Sequence, residues 1–300
     1  MPDFATDRAS GAGDVALGFL TALERWCAVD TSTTPIAFRT ALLAWLREAI
    51  AAQPSMALVH QLAGRALLVA DTGIIRSESV AGLRAEIVRT CAAERDDLIA
   101  ARKAIVRQAA TMVSERGGWI ATLSASGLVR DSILAAHAAG RKPRVLVAES
   151  RPRFEGRGLA ASLGAAGVPV WLVVDAALPL LLSQAHVVWL GADAVTDHGA
   201  MNKIGSFAAA LAAREHSVPV YALAERRKFI AASTRALKIA EMPPDEVWDA
   251  PAPGVEPRNI YFELVPMPLL RGVIVDDTVL PPGEAAGLAR ERPLPSELAG

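Results

Sequence analysis

The stretch VVWLGADAVTDHGAMNKIGS, residues 187–206, decides the fold of this chain. It opens with an apolar, β-branched run at Val187–Leu190 and continues into small and polar residues at Gly191–Ser206. Such a continuous apolar run is typical of a strand buried on both faces of a parallel sheet. The stretch therefore predicts an α/β domain with an anion-binding active-site loop beyond the carboxyl end of a strand.

Similar apolar runs occur on both sides of this stretch. From the pair Gly117-Gly118 onward, short apolar runs alternate with helical segments. The further runs are Trp119–Leu123, Val145–Ala148, Val168–Val174, Val218–Leu223 and Ile260–Val265. Strands that alternate with helices predict a mainly parallel sheet covered on both faces.

The first third of the chain has a helical rhythm instead. Apolar residues recur at helical spacing over Asp14–Cys27 and Pro35–Ala51, and Val80–Val113 is a long charged segment with the same periodicity. We expect three segments, which are a helical domain over 1–115, an α/β domain over 116–291 and a frayed tail over 292–300.

Composition narrows the class of protein. The 300 residues are 52% hydrophobic and 21% charged, enough for a substantial core. A net charge of −1 gives no reason to expect nucleic acid or an anionic membrane as a partner. The two cysteines, Cys27 and Cys91, have no paired-ligand spacing, and the histidines form no ligand motif, so we expect no metal.

Several motifs are missing from the sequence. It contains no GxGxxG after a strand, no Walker loop and no GxSxG, which disfavours dinucleotide enzymes, P-loop ATPases and α/β-hydrolases. We therefore expect no cofactor. The amino terminus lacks an apolar signal region, and Val168–Leu182 is too short and too interrupted to span a bilayer. These features predict a cytoplasmic protein.

Polar residues in the decisive loop are candidate site residues. Asp193 follows a strand after two small residues, which would let a ligand approach closely, although it could equally be a helix cap or loop carboxylate. Asn202 and Lys203 are predicted to open the next helix, where N–H groups, dipole and lysine charge favour an anion. The alternative is a solvated lysine beside a capping asparagine.

Two further predicted strands also end in polar residues. Ser126 and Gly127 precede a predicted helix at Val129–Ala139, so they either cradle an anion or form an ordinary helix cap. Arg151 lies in a Ser-Arg-Pro turn, where its guanidinium would grip a phosphate or pair with a nearby glutamate, Glu149 or Glu155. We expect His198, in the decisive loop, to be solvated rather than catalytic.

Three motifs resemble a known family. They are AESRPRFEGRGLA at 148–160, GADAVTDHGAMNKIGS at 191–206 and VPVYALAERRKF at 218–229. All three resemble the alpha, beta and delta subunits of translation initiation factor 2B and its enzyme relatives, methylthioribose-1-phosphate isomerase and ribose-1,5-bisphosphate isomerase. The resemblance covers about residues 117–280, with weaker support near the amino terminus. It implies a helical domain, a Rossmann-like α/β domain, a homodimer through the latter, and a small phosphorylated sugar or nucleotide as ligand.

The resemblance also assigns roles to individual residues. Asp193 falls on the isomerases' catalytic aspartate, and Asn202 and Lys203 fall on their substrate-binding pair. Glu155 falls where methylthioribose-1-phosphate isomerase has a substrate-binding glutamine. Ser124 falls on the catalytic cysteine of the isomerases.

Two departures from the family pattern leave two functions open. Ser10, Gly11 and Ala12 align with an Arg-Gly-Ala sequence of the isomerases, so a serine replaces the arginine that binds the phosphate there. The hydroxyl of Ser124 titrates far above a cysteine, whose pKa is about 8.5, and would need a neighbouring base. The chain is therefore expected to be either a sugar-phosphate isomerase using Asp193 and Ser124, or a non-catalytic sensor or regulatory subunit that binds a sugar phosphate or nucleotide.

Overall fold

The computed structural model describes residues 3–6, 11–234 and 237–299. Its first part consists of long helices, namely α1 (Ala12–Val29), α2 (Pro35–Ala52), α3 (Ala57–Ile75) and α4 (Val80–Thr111). Thr34 and Ser79 cap α2 and α4 by accepting backbone N–H groups of the first turn. Helix α3, which the sequence analysis did not anticipate, is long and apolar enough to cross a membrane, but more than half of it is buried inside the protein.

The second part alternates strands and helices. Its strands are β1 (Gly118–Leu123), β2 (Pro143–Ala148), β3 (Val170–Val173), β4 (Val187–Gly191), β5 (Ala194–Val195), β6 (Gly199–Lys203), β7 (Val220–Leu223), β8 (Phe262–Pro266), β9 (Gly272–Val275) and β10 (Thr278–Leu280). Its helices are α5 (Gly127–Ala138), α6 (Glu155–Ala165), α7 (Leu178–Leu181), α8 (Ser206–Glu215) and α9 (Pro282–Arg290).

Seven strands form the main sheet, in the order β10-β9-β7-β4-β1-β2-β3. All neighbours pair in parallel except β10, which is antiparallel to β9. This confirms the predicted mainly parallel sheet. The strand order reverses between β1 and β4, so the connections leave in opposite directions and open a crevice beyond their carboxyl ends. Ser124 follows β1 and Gly191 ends β4, which places both at this crevice.

A second, antiparallel sheet places two segments differently from the sequence-based prediction. It consists of β5, β6 and β8. The run Ile260–Val265 thus contributes to this small sheet and not to the main one. Asn202 and Lys203 lie on β6, opposite Glu263 and Phe262, and not at the start of a helix. The helix begins only at Ser206, because the backbone pairs first with β8 and then turns at Gly205, which has φ +99°.

The helical part and the α/β part of the chain each contribute residues to the other's core. Leu294 and Leu298 are buried in the core of the helical part, so the expected frayed tail is wrong for the described residues 292–299. Ile105 and Ala109, near the end of α4, pack on one face of the main sheet. A domain division at residue 115 remains a prediction. These contacts join the two parts of the chain into one continuous packed structure.

Candidate ligand site at the sheet switch point

A cavity of about 600 Å³ lies between the helical part and the crevice at the carboxyl ends of β1 and β4. This volume is typical of small-molecule sites. Nine of the residues predicted from sequence line it, namely Gly11, Ala12, Ser124, Ser126, Gly127, Glu155, Asp193, Asn202 and Lys203. The fold therefore brings together candidates that lie far apart in the sequence.

Asp193 follows β4 and is fixed by its backbone. Its N–H donates to the carbonyl of Met201 at 2.8 Å, and its carbonyl accepts the N–H of Ala57, the first residue of α3, at 3.1 Å. Burial raises the pKa of its carboxyl to about 6, an effect that Lys228 and Lys203 oppose and Glu225 increases. A carboxyl with this pKa can take up and release a proton near neutral pH.

Two buried lysines flank this carboxyl, and each has its own glutamate. The Nζ of Lys203 lies 2.8 Å from Oε1 of Glu155, and 4.3 Å from the centre of the Tyr261 ring. The Nζ of Lys228 lies 2.8 Å from Oε2 of Glu225. Because all four side chains line the cavity, their charges are available to a polar ligand while remaining paired inside the protein.

Gly191 allows the polar groups at the floor of the cavity to approach each other. A Cβ at this position would lie 2.8 Å from Oγ of Ser126 and 3.4 Å from Oδ1 of Asn202. Ser126 also accepts the N–H of Val129 at 3.4 Å, so it serves as a helix cap and as part of the cavity wall. Asn202 donates to Oγ of Ser206 at 2.8 Å, which fixes the orientation of its amide.

Ser124 lies at the edge of the cavity in a left-handed conformation, with φ +62°. Its N–H donates to Oγ of Ser150 at 2.7 Å, and the N–H of Ser150 donates to Oδ1 of Asp175 at 2.7 Å. Backbone conformations of this kind in non-glycine residues persist where surrounding contacts hold them, and they cluster at functional sites. Within the described ranges, the Ser124 hydroxyl forms no hydrogen bond.

Two other residues that the sequence singled out lie outside the cavity wall. Arg151 is outside the cavity wall, where it donates to the carbonyl of Val247 at 3.2 Å. Neither glutamate expected to pair with Arg151 does so, because Glu149 pairs with Arg157 and Glu155 pairs with Lys203. His198 is exposed, as expected for a solvated side chain. Ser10 lies outside the described residues.

Six charged residues that line the cavity were not predicted from the sequence, namely Asp14, Arg102, Arg130, Glu225, Lys228 and Glu241. A signal existed for Glu225 and Lys228, because both follow β7 at the same edge of the sheet as the other candidates. Arg102 lies on the charged helix α4, where nothing in the local sequence singles it out. In the part of the chain that the structure describes, no cluster of three or more His, Cys, Asp or Glu residues is suited to a metal ion.

The fold and site define an α/β protein with a cavity at the switch point of a mainly parallel sheet. The family model described as "Initiation factor 2 subunit family" matches residues 8–282, and the chain belongs to this family.

Similar proteins include both enzymes and initiation-factor proteins. Methylthioribose-1-phosphate isomerase of Synechococcus sp. (strain CC9605) is 37% identical over 55% of this chain and 52% of its own length. Ribose 1,5-bisphosphate isomerase of Archaeoglobus fulgidus is 33% identical over 52% of each. The chain thus aligns with about half the length of these two relatives. The solved structure of translation initiation factor eIF-2B from Pyrococcus horikoshii OT3 has a TM-score of 0.79 at 23% identity, covering 94% of this chain and 95% of that one.

Proposed function

We propose that the cavity binds a phosphorylated sugar and that Asp193 exchanges a proton with it, as in an aldose–ketose isomerase acting on a 1-phosphorylated pentose. The observation that carries this proposal is the position of Asp193, a carboxyl with a pKa of about 6 at the sheet switch point. Isomerisation moves a hydrogen between C1 and C2 of the sugar, so it needs an acid/base group beside this carbon pair. Asn202, Lys203 and Glu155 would hold the sugar hydroxyls.

Lys203 and Lys228 give this site a second property that suits a sugar phosphate. Both ammonium groups are held in the wall of the cavity by short ion pairs, so they can stabilise negative charge that develops on a sugar oxygen. The paired glutamates offset the charges of the two lysines in the cavity wall. Each ammonium has three N–H donors, so it can donate to a bound hydroxyl or oxyanion while it stays paired with its glutamate.

Incubation with candidate substrates, followed by NMR, tests the proposal. We expect ketose product from ribose 1,5-bisphosphate or methylthioribose 1-phosphate. As a matched control, 2-deoxyribose 1-phosphate has no hydroxyl at C2, so it can bind but cannot give the ketose. Absence of both binding and turnover with all three compounds would contradict the proposal.

A specific observation favours a second candidate, a non-catalytic sensor of a sugar phosphate or nucleotide. Ser124 occupies the position of the catalytic cysteine of the isomerases, and within residues 3–6, 11–234 and 237–299 no hydrogen-bonded base accompanies its hydroxyl. A sensor would show ligand-dependent thermal stabilisation without turnover. Its response to the ligand would also survive Asp193→Asn almost unchanged, whereas an isomerase would lose its product formation.

We also propose that the protein acts in the cytoplasm as a homodimer formed through its α/β part. The support is the family resemblance together with exposed apolar side chains on the edge strand β3, where Trp171 is 47% exposed. Size-exclusion chromatography with light scattering tests the assembly. A monomer at micromolar concentration would contradict it.

A further inference from the structure

Arg102 reaches the cavity from helix α4, with one edge of its guanidinium held and the other free. Its Nε and Nη2 donate to Oδ2 of Asp131 at 3.0 and 2.7 Å. The remaining nitrogen, Nη1, donates no hydrogen bond to any residue that the structure describes. It lies 3.7 Å from where a Cβ of Gly13 would be, so it points toward the start of α1.

The free edge lies where two helices begin. Helix α1 starts at Ala12, and Gly11 before it provides no side-chain cap. Helix α5 starts at Gly127, where a Cβ would lie only 2.7 Å from Nη2 of Arg102, so the guanidinium packs directly against its first residue. The first N–H groups of both helices, of 18 and 12 residues, add a positive dipole end to the guanidinium.

One carboxylate holds two arginines at this end of the cavity. Oδ1 of Asp131 accepts from Nε of Arg130 at 2.9 Å, while Oδ2 accepts from Arg102. Asp14 and Glu225 also line the cavity, and Glu225 is paired with Lys228. Oε1 of Glu225 lies 3.8 Å from where a Cβ of Gly13 would be, so one acceptor also faces the start of α1. The two cations at this end of the cavity, Arg102 and Arg130, are held in place by Asp131.

We propose that Arg102 binds the phosphate group of the ligand, with Asp131 as the positioning residue that orients the guanidinium. This inference rests on the proposed function, because it assigns the phosphate end of the same cavity. A tetrahedral phosphate has several acceptor oxygens, so it can accept hydrogen bonds from Nη1 and from the N–H groups of two helix starts at once. Arg102, and not Arg151, then determines the selectivity for phosphorylated over free sugars.

Calorimetric titration with ribose 1,5-bisphosphate and, separately, with inorganic phosphate tests this assignment. Arg102→Met should raise the Kd for both by about tenfold or more, because a charge-assisted hydrogen bond is lost. Arg102→Lys should give a smaller loss, since it keeps the charge but not the planar fork. The matched control is Arg95→Met, which we expect to bind like the wild type. Arg95 is on the same helix, its side chain is 30% exposed against 31% for Arg102, and it forms a similar double contact, with Glu24, outside the cavity.

The outcomes separate this inference from the proposed function. If Arg102→Met binds both probes like the wild type, the inference is overturned while sugar-phosphate binding stands. If the wild type binds inorganic phosphate through Arg102 but no sugar phosphate, the anion site stands and the proposed function fails. If the wild type binds neither probe, both fail. If Arg102→Met does not fold, Gly127→Ala replaces it in the titration with inorganic phosphate. The added Cβ displaces the guanidinium without removing any charge. An unchanged phosphate affinity of Gly127→Ala would overturn the inference.

Discussion

The two walls of the cavity differ in how their charges are arranged. On the α/β wall, Lys203 and Lys228 are each tied to a glutamate, and between them the Asp193 carboxyl has a pKa near neutrality. On the helical wall, Arg102 keeps one edge of its guanidinium free beside the starts of α1 and α5. The first arrangement suits proton exchange, and the second suits holding a fixed negative charge. We infer that the α/β wall controls turnover and the helical wall controls affinity.

Replacing the carboxyl on the α/β wall should give the largest effect. Asp193→Asn removes the proposed acid/base carboxyl but keeps its size, so we expect kcat to fall by about 10²–10⁴-fold while the Kd for substrate changes by less than about fivefold. NMR rates and calorimetry measure the two quantities. Asp197→Asn, in the same loop but outside the cavity wall, is the control, because its side-chain oxygen can still accept the N–H of Ala232. Equal losses in the two variants would contradict the assigned role.

Breaking one ion pair of the same wall should mainly affect stability. Glu155→Gln removes the carboxylate that lies 2.8 Å from the buried Nζ of Lys203, so we expect the free energy of unfolding to fall by about 3 kcal/mol. Urea denaturation measures the change. Glu149→Gln is the control, because it releases Arg157, whose side chain is 55% exposed, and should change stability by less than about 1 kcal/mol. A loss for Glu155→Gln no larger than for this control would show that the pair is not desolvated.

The raised pKa of Asp193 also has a consequence for stability. Because the folded protein holds the proton more tightly than the unfolded chain, stability from this group is present at low pH and decreases as pH rises from about 4 to about 6. Asp193→Asn should therefore be more stable than the wild type at pH 7.5, by about 3 kcal/mol, and the difference should vanish toward pH 4. Thermal unfolding across this pH range measures it. A variant less stable than the wild type at pH 7.5 would contradict the sign of the shift.

The sequence was sufficient to predict the mainly parallel sheet and most of the α/β wall. The strand β4 is apolar throughout, and residues that follow parallel strands must gather at one edge of the sheet, so Asp193 and Ser126 could be placed together. Lys203 was assigned to the cavity but to the wrong element. Its position on β6 depends on pairing with β8, some 60 residues later, and local sequence does not encode this pairing.

Most residues of the helical wall could not be predicted from the sequence. Gly11 and Ala12 were found only through a family resemblance, and that comparison showed Ser10 where the relatives have an arginine. Arg102 supplies a guanidinium from another helix, about 90 residues further along the chain. Its role depends on the packing of α4 against α5 and on the absence of a side chain at Gly127, and neither follows from the pattern of α4 itself.

A crystal structure with ribose 1,5-bisphosphate bound tests the central claim most directly. We expect one phosphate against Nη1 of Arg102 and the starts of α1 and α5, with C1 or C2 of the sugar within about 3.5 Å of the Asp193 carboxylate. A sugar that lies in the cavity without approaching Asp193, or a phosphate held by Arg151 instead of Arg102, would contradict it.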